Sequence, residues 1–120
     1  MNLTTCKKLC NECPFSKKSL KGWLGSHTVD EVLNSQQFEG LFSCHKQRGD
    51  DLKENERKLI SGEHNVCRGY ILSATVSCKM FGQNIHTGEE LRRLQKENPP
   101  TDEERENILT RWEFKDHHDI

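Results

Sequence analysis

Hydrophobic residues in this chain come in short groups, and three of the groups begin at a helix-capping pattern. In the first, Thr28-Val29-Asp30-Glu31, the threonine oxygen can accept from the amide three residues later while the glutamate reaches back. The pattern predicts a short helix from Val29 to about Ser35, with Val32 and Leu33 facing inward.

The middle of the chain alternates between apolar and strongly polar stretches. A loop or short extended segment leads to Cys44, and its apolar residues are predicted core positions: Phe38, Leu41 and Phe42. Residues 46–65 are polar. Within them, Asp51 to Ile60 can form a helix, but the low apolar content is equally compatible with a mobile excursion.

The longest apolar run follows Cys67. Its hydrophobic residues recur at near-helical spacing, which predicts a central helix of about four turns that Gly82 ends. The positions that define this helix are Tyr70, Ile71, Ala74 and Met80 or Phe81.

Two further capping patterns predict the C-terminal helices. Thr87-Gly88-Glu89-Glu90 opens a helix to about Glu97, where Asn98-Pro99-Pro100 stops it. Thr101-Asp102-Glu103-Glu104 opens a final helix with an apolar stripe. The residues of that stripe are Ile108, Leu109 and Trp112.

Three capping patterns and no convincing alternating strand predict a mostly α fold, with sheet limited to a small hairpin near the cysteines. We expect a small single domain of short helices and loops. Residues 1–97 would form a part that a metal bound by cysteines crosslinks, and the capped helix at 98–120 would pack on this part or project from it.

The composition indicates that the fold needs a crosslink, either disulfides or a metal, in addition to its hydrophobic core. Of 120 residues, 32% are hydrophobic and 31% are charged, and the mean hydropathy is -0.90. A chain this small and polar has a marginal core, which disulfides or a structural metal commonly reinforce. The six cysteines can supply either kind of staple.

The cellular compartment decides between the two kinds of staple. Residues 1–8 contain no apolar run of signal-peptide length, and Tyr70 to Val76 is too short to span a bilayer. We therefore expect a cytoplasmic protein without membrane contact. Clustered cysteines there usually bind metal, although free thiols and disulfides remain alternatives.

Charge is unevenly distributed although the net charge is only -1. Residues 1–25 carry five lysines and one glutamate, whereas residues 97–120 carry eight acidic and three basic residues. Lys17, Lys18 and Lys21 are candidate anion contacts. The alternative is that the two ends attract each other or are simply solvated.

Four cysteines form the candidate metal site: Cys10, Cys13, Cys44 and Cys67. A Cys-x-x-Cys knuckle turns two sulfurs towards one point, and Pro14 keeps this segment out of a long helix. Four thiolates suit either a tetrahedral zinc ion or a 4Fe-4S cluster. The usual zinc ribbon has a paired knuckle on both sides, and here the second is missing.

The remaining histidines and cysteines are weaker candidates for metal ligands. His45 neighbours Cys44 and is predicted to support the site or to be an alternative ligand. Cys6, with Cys10 and Cys13, completes the Cys-x-x-x-Cys-x-x-Cys spacing of the cluster loop in radical S-adenosylmethionine enzymes, but the chain is too short for the barrel domain of those enzymes. Cys78 is predicted to be a buried small residue. His117 and His118, in the acidic tail, receive no role.

Five short signatures, taken in order, resemble those of a family of small, uncharacterised phage and bacterial proteins with a four-cysteine metal site. They are Cys10-x-x-Cys13-Pro14-Phe15, Gly22-Trp23-Leu24, Phe42-x-Cys44-His45, Cys67-x-Gly69-Tyr70 and Gly82-x-Asn84. In the family an arginine lies near the last signature, here Arg92 or Arg93. The resemblance covers roughly residues 10–93. It implies that the four cysteines act together but assigns no activity.

Three functions compete at this stage. The first is a metal-stapled binding module, a phage-like accessory protein that engages a host protein or nucleic acid. The second is an iron-sulfur protein with a redox or sensing role. The third is a metal-dependent nuclease using His45 or His64, which lacks an accompanying carboxylate pair or phosphate loop. Whether the protein is an enzyme is left open, with a non-enzymatic role preferred, and so is the oligomeric state. If the protein is phage-encoded, as the resemblance implies, we expect it in the host cytoplasm.

Overall fold

The computed structural model describes residues 2–10, 12–22, 24, 27–44, 47 and 49–119, without the side chain of Leu52. Within these ranges the chain forms six helices and no strand, so the prediction of a mostly α fold is confirmed. Short extended segments meet only at isolated bridges. The helices are α1 (Val29–Gln37), α2 (Leu52–Ser61), α3 (Arg68–Val76), α4 (Thr87–Glu97), α5 (Asp102–Asn107) and α6 (Arg111–His118).

Helix α3 forms the centre of the core. Its residues 68–74 are all buried, and it packs against α4. The Tyr70 ring stacks with those of Phe42 and Phe81, at centroid distances of 5.3 Å and 5.9 Å. The Tyr70 hydroxyl donates to the Gly40 carbonyl at 2.7 Å. The central helix thus anchors side chains from segments on both sides of it in the chain.

The helix α3 ends earlier than the predicted four turns. Cys78 has a φ of 59°, in the left-handed region. Its amide donates to the Thr75 carbonyl at 3.1 Å, and the Lys79 amide donates to the Ala74 carbonyl at 2.8 Å. These two bonds form a Schellman motif, which reverses the chain after Val76. Cys78 is exposed, so the prediction of a buried residue is also wrong.

The C-terminal segment forms two helices where one was predicted. After α5 the chain becomes extended, because the Leu109 amide donates to the Phe15 carbonyl at 2.8 Å. A complete capping box of Thr110 and Glu113 then opens α6. On α6, Phe114 stacks on Phe15 with ring centroids 4.5 Å apart. This segment therefore contributes to the same core as the N-terminal knuckle.

Several predicted core positions are solvent-exposed. Trp112 and Phe38 expose 69% and 76% of their surface, and the loop residue Leu20, for which no core position was predicted, is 75% exposed, whereas Phe15 and Phe42 are buried. The break before α6 changes which of its faces meets the core, and this leaves Trp112 outside. Phe38 caps the end of α1 and Leu20 lies in a loop. Trp23 of the second signature lies outside the described residues.

The predicted helix starts are partly confirmed. Thr28 accepts from the Glu31 amide at 3.2 Å, and α1 continues to Gln37. The polar segment does form a helix, α2, whose first amides are capped by Asp51. Helix α4 spans the predicted range, but His86 is its N-cap and no side chain caps it. A threonine followed by glutamates thus marked this helix without capping it.

A buried carboxylate shapes the loop between α3 and α4. Glu39 accepts hydrogen bonds from the amides of Gly82, Gln83 and Asn84. Burial opposes ionisation, but these three amides prevail, and the pKa of Glu39 is lowered. Gly82 has a φ of 125°, which favours glycine at this turn. The backbone amides of the Gly82-x-Asn84 signature therefore form an anion-binding nest that holds the Glu39 carboxylate.

Two residues of α4 lie against this nest. At Gly88 a Cβ atom would stand 2.6 Å from a Glu39 carboxylate oxygen, so only glycine fits without movement. The Arg92 side chain packs beside Gly82, with its Cβ 3.8 Å from where a Gly82 Cβ would stand. Arg92 is thus the arginine beside the signature.

None of the described helices combines the length and the apolar character needed to cross a lipid bilayer.

The left-handed conformation of Cys78 predicts a stabilising substitution. Glycine adopts this φ without the Cβ clash that other residues experience, so Cys78→Gly should stabilise the fold by about 0.5–1 kcal/mol. Thermal unfolding followed by circular dichroism should show a melting temperature a few degrees higher. Cys78→Ser is the control, since it removes the thiol but keeps the clash. Equal stabilisation by both variants would contradict the explanation.

Candidate metal centre

The Cys10–Cys13 segment folds as the predicted knuckle. The Cys13 amide donates to the Cys10 carbonyl at 3.1 Å, and the Ser16 amide donates to the Cys13 carbonyl at 2.8 Å. The Glu12 amide lies 3.4 Å from the Cys10 sulfur, which accepts its hydrogen bond. This turn keeps both cysteines on one side of the loop, as the short spacing predicts.

Isolated cysteines from distant parts of the sequence reach the knuckle through a small backbone ladder. The Val66 amide donates to the Thr4 carbonyl at 2.7 Å on one side. On the other side, the Cys67 amide donates to the Phe42 carbonyl at 2.9 Å. The three segments that this pairing aligns are residues 4–6, 42–44 and 65–67. Each of them ends in a cysteine.

Five cysteines line a single small cavity of about 20 Å³. Lys8, Arg68 and Gly69 complete its described wall. The volume is that of roughly one water-sized sphere. The cysteines are Cys6, Cys10, Cys13, Cys44 and Cys67.

The thiols interact with one another across this cavity. The sulfurs of Cys13 and Cys67 are 3.1 Å apart. Their hydrogen bond, together with burial, raises the pKa of the Cys13 thiol well above its usual range. Burial, followed by the neighbouring Cys44, raises the pKa of Cys6 to about 11. As they stand, these thiols are held in the protonated form, so a bound cation would have to displace protons.

The present positions of the sulfurs do not yet match a bound ion. In the described part of the chain, no three histidine, cysteine or acidic side chains form a group that could hold a metal. Two sulfurs bound to one tetrahedral zinc would be roughly 3.8 Å apart, given a zinc–sulfur distance of about 2.3 Å. Cys13 and Cys67 are closer than that. The donor chemistry fits a soft metal, but the sulfurs would have to separate to bind it.

Gly69 permits the knuckle to approach α3. A Cβ atom at this position would stand 2.5 Å from the Cys13 sulfur and 2.8 Å from the Phe15 Cβ. Real Cβ atoms essentially never approach so closely, and both neighbours are buried. Glycine in the Cys67-x-Gly69 signature is therefore required by the contact between two cysteine-bearing segments.

A buried ion pair holds the cavity wall in place. Arg68 donates to both carboxylate oxygens of Glu104, at 2.6 Å and 2.9 Å, and to the Cys6 carbonyl at 3.2 Å. Glu104 also accepts from the Leu9 amide at 3.1 Å. The Arg68 side chain therefore connects three parts of the site: the start of α3, the N-terminal segment and α5. Sequence reasoning missed this pair, since nothing in the spacing joins the two residues.

The hydrogen bonds from Arg68 hold the pKa of Glu104 at about 2, against the opposing effect of burial. The side chains of Arg68 and Glu104 are only 7% and 10% exposed. Solvent therefore screens the pair weakly, and the carboxylate stays ionised throughout the physiological range.

The structure brings the four predicted cysteines together and adds Cys6 to them. The spacing of Cys6 from Cys10 and Cys13 was the available sequence signal for including it. His45, predicted to support the site, lies outside the described residues. The predicted anion contacts Lys17, Lys18 and Lys21 are all exposed. Whether they bind an anion stays a prediction.

The histidines of the tail have a structural role that the sequence did not reveal. His118 is buried, and its Nδ1 accepts from the Gly22 amide at 3.0 Å. Its Nε2 donates to the Pro14 carbonyl at 2.7 Å, which requires the neutral ring with its proton on Nε2. His117 contacts the Ser19 carbonyl at 3.0 Å. Helix α6 thus fixes the lysine-bearing loop.

The ion pair predicts a specific acid dependence. The folded pKa of Glu104, about 2, lies below its ordinary value of 4.5, so its contribution is complete above about pH 5 and lost towards pH 2. Glu104→Gln leaves Arg68 unpaired and should destabilise the protein by roughly 3–5 kcal/mol near neutral pH. Urea unfolding at several pH values measures the difference between parent and variant, which should shrink as the pH falls.

Glu106→Gln, at an exposed position of the same helix, is the matched control and should unfold like the parent. A stability difference for Glu104→Gln that does not change between pH 6 and pH 3 would contradict the assigned ion pair.

Comparison of the chain with protein-family models, with curated proteins and with solved structures gave no match. The assignment of function therefore depends on the chemistry of the site itself.

Proposed function

We propose that this protein is a small binding module whose fold is stapled by one zinc ion in the cysteine cavity. The observation that carries the proposal is that five of the six cysteines in the chain line a single cavity. The core is small and the chain is polar, which is the situation in which a structural metal contributes most to stability.

The size of the cavity supports a single ion. About 20 Å³ accommodates one small sphere once the Cys13 and Cys67 sulfurs separate slightly, whereas a cluster of four irons and four sulfides needs a much larger movement of the surrounding walls. Five thiols offer more than the four donors that a closed tetrahedral zinc site needs. We propose Cys10, Cys13, Cys44 and Cys67 as ligands, with Cys6 beside them.

The surroundings of the cavity support the thiolate form that a metal requires. Cys67 is the N-cap of α3, where the helix dipole favours negative charge. Lys8 lines the same cavity and brings positive charge to it, while the charge of Arg68 is already paired with that of Glu104. The Glu12 amide already donates to the Cys10 sulfur. These groups would offset the net negative charge of a zinc ion bound by four thiolates.

The proposed role of the metal is structural. Four thiolates leave no open coordination position for a substrate, so a closed site stabilises the fold without performing hydrolysis. The cavity joins segments that contain residues 6, 10–13, 44 and 67. One ion would therefore crosslink most of the N-terminal half of the chain.

The proposed contact surface is the loop that carries Lys17, Lys18 and Lys21. All three side chains are exposed, while Ser16 before them and Ser19 between them are buried. Since α6 anchors the loop through His117 and His118, the lysines extend from a fixed backbone. We propose that they contact nucleic-acid phosphates, with a host protein as the alternative partner.

A four-iron cluster is the second candidate for the cavity. Cys6, Cys10 and Cys13 have the spacing of a cluster-binding loop, and all three line the cavity. In this case the protein would serve a redox or sensing role. The resemblance to the phage and bacterial four-cysteine family is compatible with either metal and remains part of the proposal.

Metal analysis of anaerobically purified protein tests the first part of the proposal. We expect one zinc ion per chain and a colourless solution. Cys13→Ser and Cys67→Ser, at the two buried sulfurs, should each lose the metal and melt at lower temperature, because a structural site contributes its binding energy to folding. Plasma mass spectrometry measures the metal, and circular dichroism measures the melting.

Cys78→Ser is the matched control, since this exposed cysteine lies away from the cavity, and it should keep its metal. Retention by Cys6→Ser would support the four proposed ligands. Iron with broad visible absorbance would establish the cluster instead, and parent protein without metal would refute both.

Binding to a short fluorescein-labelled DNA duplex tests the contact surface. Replacing Lys17, Lys18 and Lys21 by glutamine should weaken binding and make the slope of log K against log salt shallower by about 2 to 3. The control replaces three exposed basic residues elsewhere: Lys53, Lys96 and Arg105. An equal loss in both variants, or no binding at low salt, would exclude this surface and favour a protein partner.

A further inference from the structure

We infer that a second cavity, formed between α1 and α2, binds a small organic cation with an apolar body. This cavity has a volume of about 700 Å³, which lies in the range of small-molecule sites. It is separate from the cysteine cavity in its described lining, and no step of the proposed metal role uses it. The inference therefore goes beyond the proposed function.

The inner wall of the cavity is apolar. Val32 of α1, Phe42 and Leu59 of α2 line it, and all three belong to the hydrophobic core. Leu41 adds a partly buried side chain. The His27 ring lies 5.6 Å from the Phe42 ring and extends the wall with a second flat surface. Val32, Phe42 and Leu59 are buried and form the floor, so the surface that an apolar ligand body would cover belongs mainly to the half-buried Leu41 and His27.

The charged residues in the described lining of the cavity are acidic. Glu31, Asp50 and Glu56 line it, from α1, the preceding loop and α2 respectively. Among the described lining residues there is no lysine or arginine. The only other titratable group among them is His27, whose Nδ1 lies 3.5 Å from a Glu31 oxygen. A concave surface with low-dielectric walls concentrates the field of these carboxylates and attracts cations.

The apolar wall of the cavity and its acidic residues together define the class of ligand. The ligand would place an ammonium or guanidinium group among the carboxylates and an aromatic or aliphatic body against Leu41 and the His27 ring. Carboxylates and phosphates of the same size would be repelled. We commit to a free small amine as the occupant, since the site is a cavity of small-molecule size.

Three probes of similar shape and different charge test the inference on the protein as purified. They are phenethylamine, 2-phenylethanol and 3-phenylpropionate. Methyl resonances of Val32, Leu41 and Leu59 report binding by nuclear magnetic resonance. We expect the amine to shift them in a saturable way, the alcohol to bind roughly tenfold more weakly, and the carboxylate to cause no shift.

A charge variant separates attraction from simple apolar filling. Glu31→Gln combined with Glu56→Gln preserves shape and should weaken amine binding roughly fivefold, as expected for two exposed ion pairs. Binding of the alcohol should not change. Glu106→Gln combined with Asp116→Asn removes the same charge from exposed positions elsewhere and should leave amine binding unaltered.

Two outcomes would overturn the inference. Equal shifts by all three probes would show that the cavity binds apolar groups without selecting for charge. Shifts by none would show that the cavity binds no such ligand. A capped lysine dipeptide distinguishes the source of the cation. If it binds more tightly than phenethylamine, the occupant is a partner's side chain and the free-amine assignment is wrong. Metal content is measured separately, so failure here leaves the zinc proposal unaffected.

Discussion

The contact between Arg68 and Glu104 is the interaction on which the arrangement of the cysteines depends most. Arg68 directly follows Cys67 and also holds the Cys6 carbonyl, while Glu104 holds the Leu9 amide next to Cys10. One ion pair thus positions cysteine-bearing segments that are far apart in sequence. Because both groups are buried, neither can lose its partner without leaving an uncompensated charge.

Close approach is the second constraint on the site. Gly69 lets the Cys13 sulfur and Phe15 lie directly against α3, and Phe15 in turn stacks on Phe114. The C-terminal helices are therefore connected to the metal-site region through the same aromatic core. A small, polar chain gains cohesion by making a few buried groups serve several segments. The loop that carries the candidate phosphate contacts is fixed in the same way, through His118.

Local backbone strain appears where helices end. Glu39 and Cys78 both have positive φ although neither is glycine. At Glu39 the strain accompanies a function in the fold, since the carboxylate then fills the nest of amides at residues 82–84. At Cys78 the side chain is exposed and makes no comparable contribution among the described contacts. The two positions show that the same conformation can be required in one place and tolerated in another.

Local signals in the sequence determined a large part of this protein. The capping pattern at Thr28 and the stop at Pro99 depend on neighbouring residues, so α1 and α4 could be predicted, whereas the low apolar content after Asp51 left α2 open. The knuckle was predictable for the same reason. The Thr110–Glu113 capping box is also a local signal, but it was overlooked because the apolar stripe of Ile108, Leu109 and Trp112 suggested one continuous helix through this position.

Only the tertiary structure decided how the separate parts meet. The position of Cys6 beside Cys44, the ion pair between residues 68 and 104, and the clamp by His118 join residues that are 36 to 104 positions apart. Such pairings leave no periodicity in the sequence. They are selected by which segments can bury their surface and satisfy their hydrogen bonds together. The sequence alone thus determined most helices and indicated the candidate donors, while packing decided that five cysteines line one cavity.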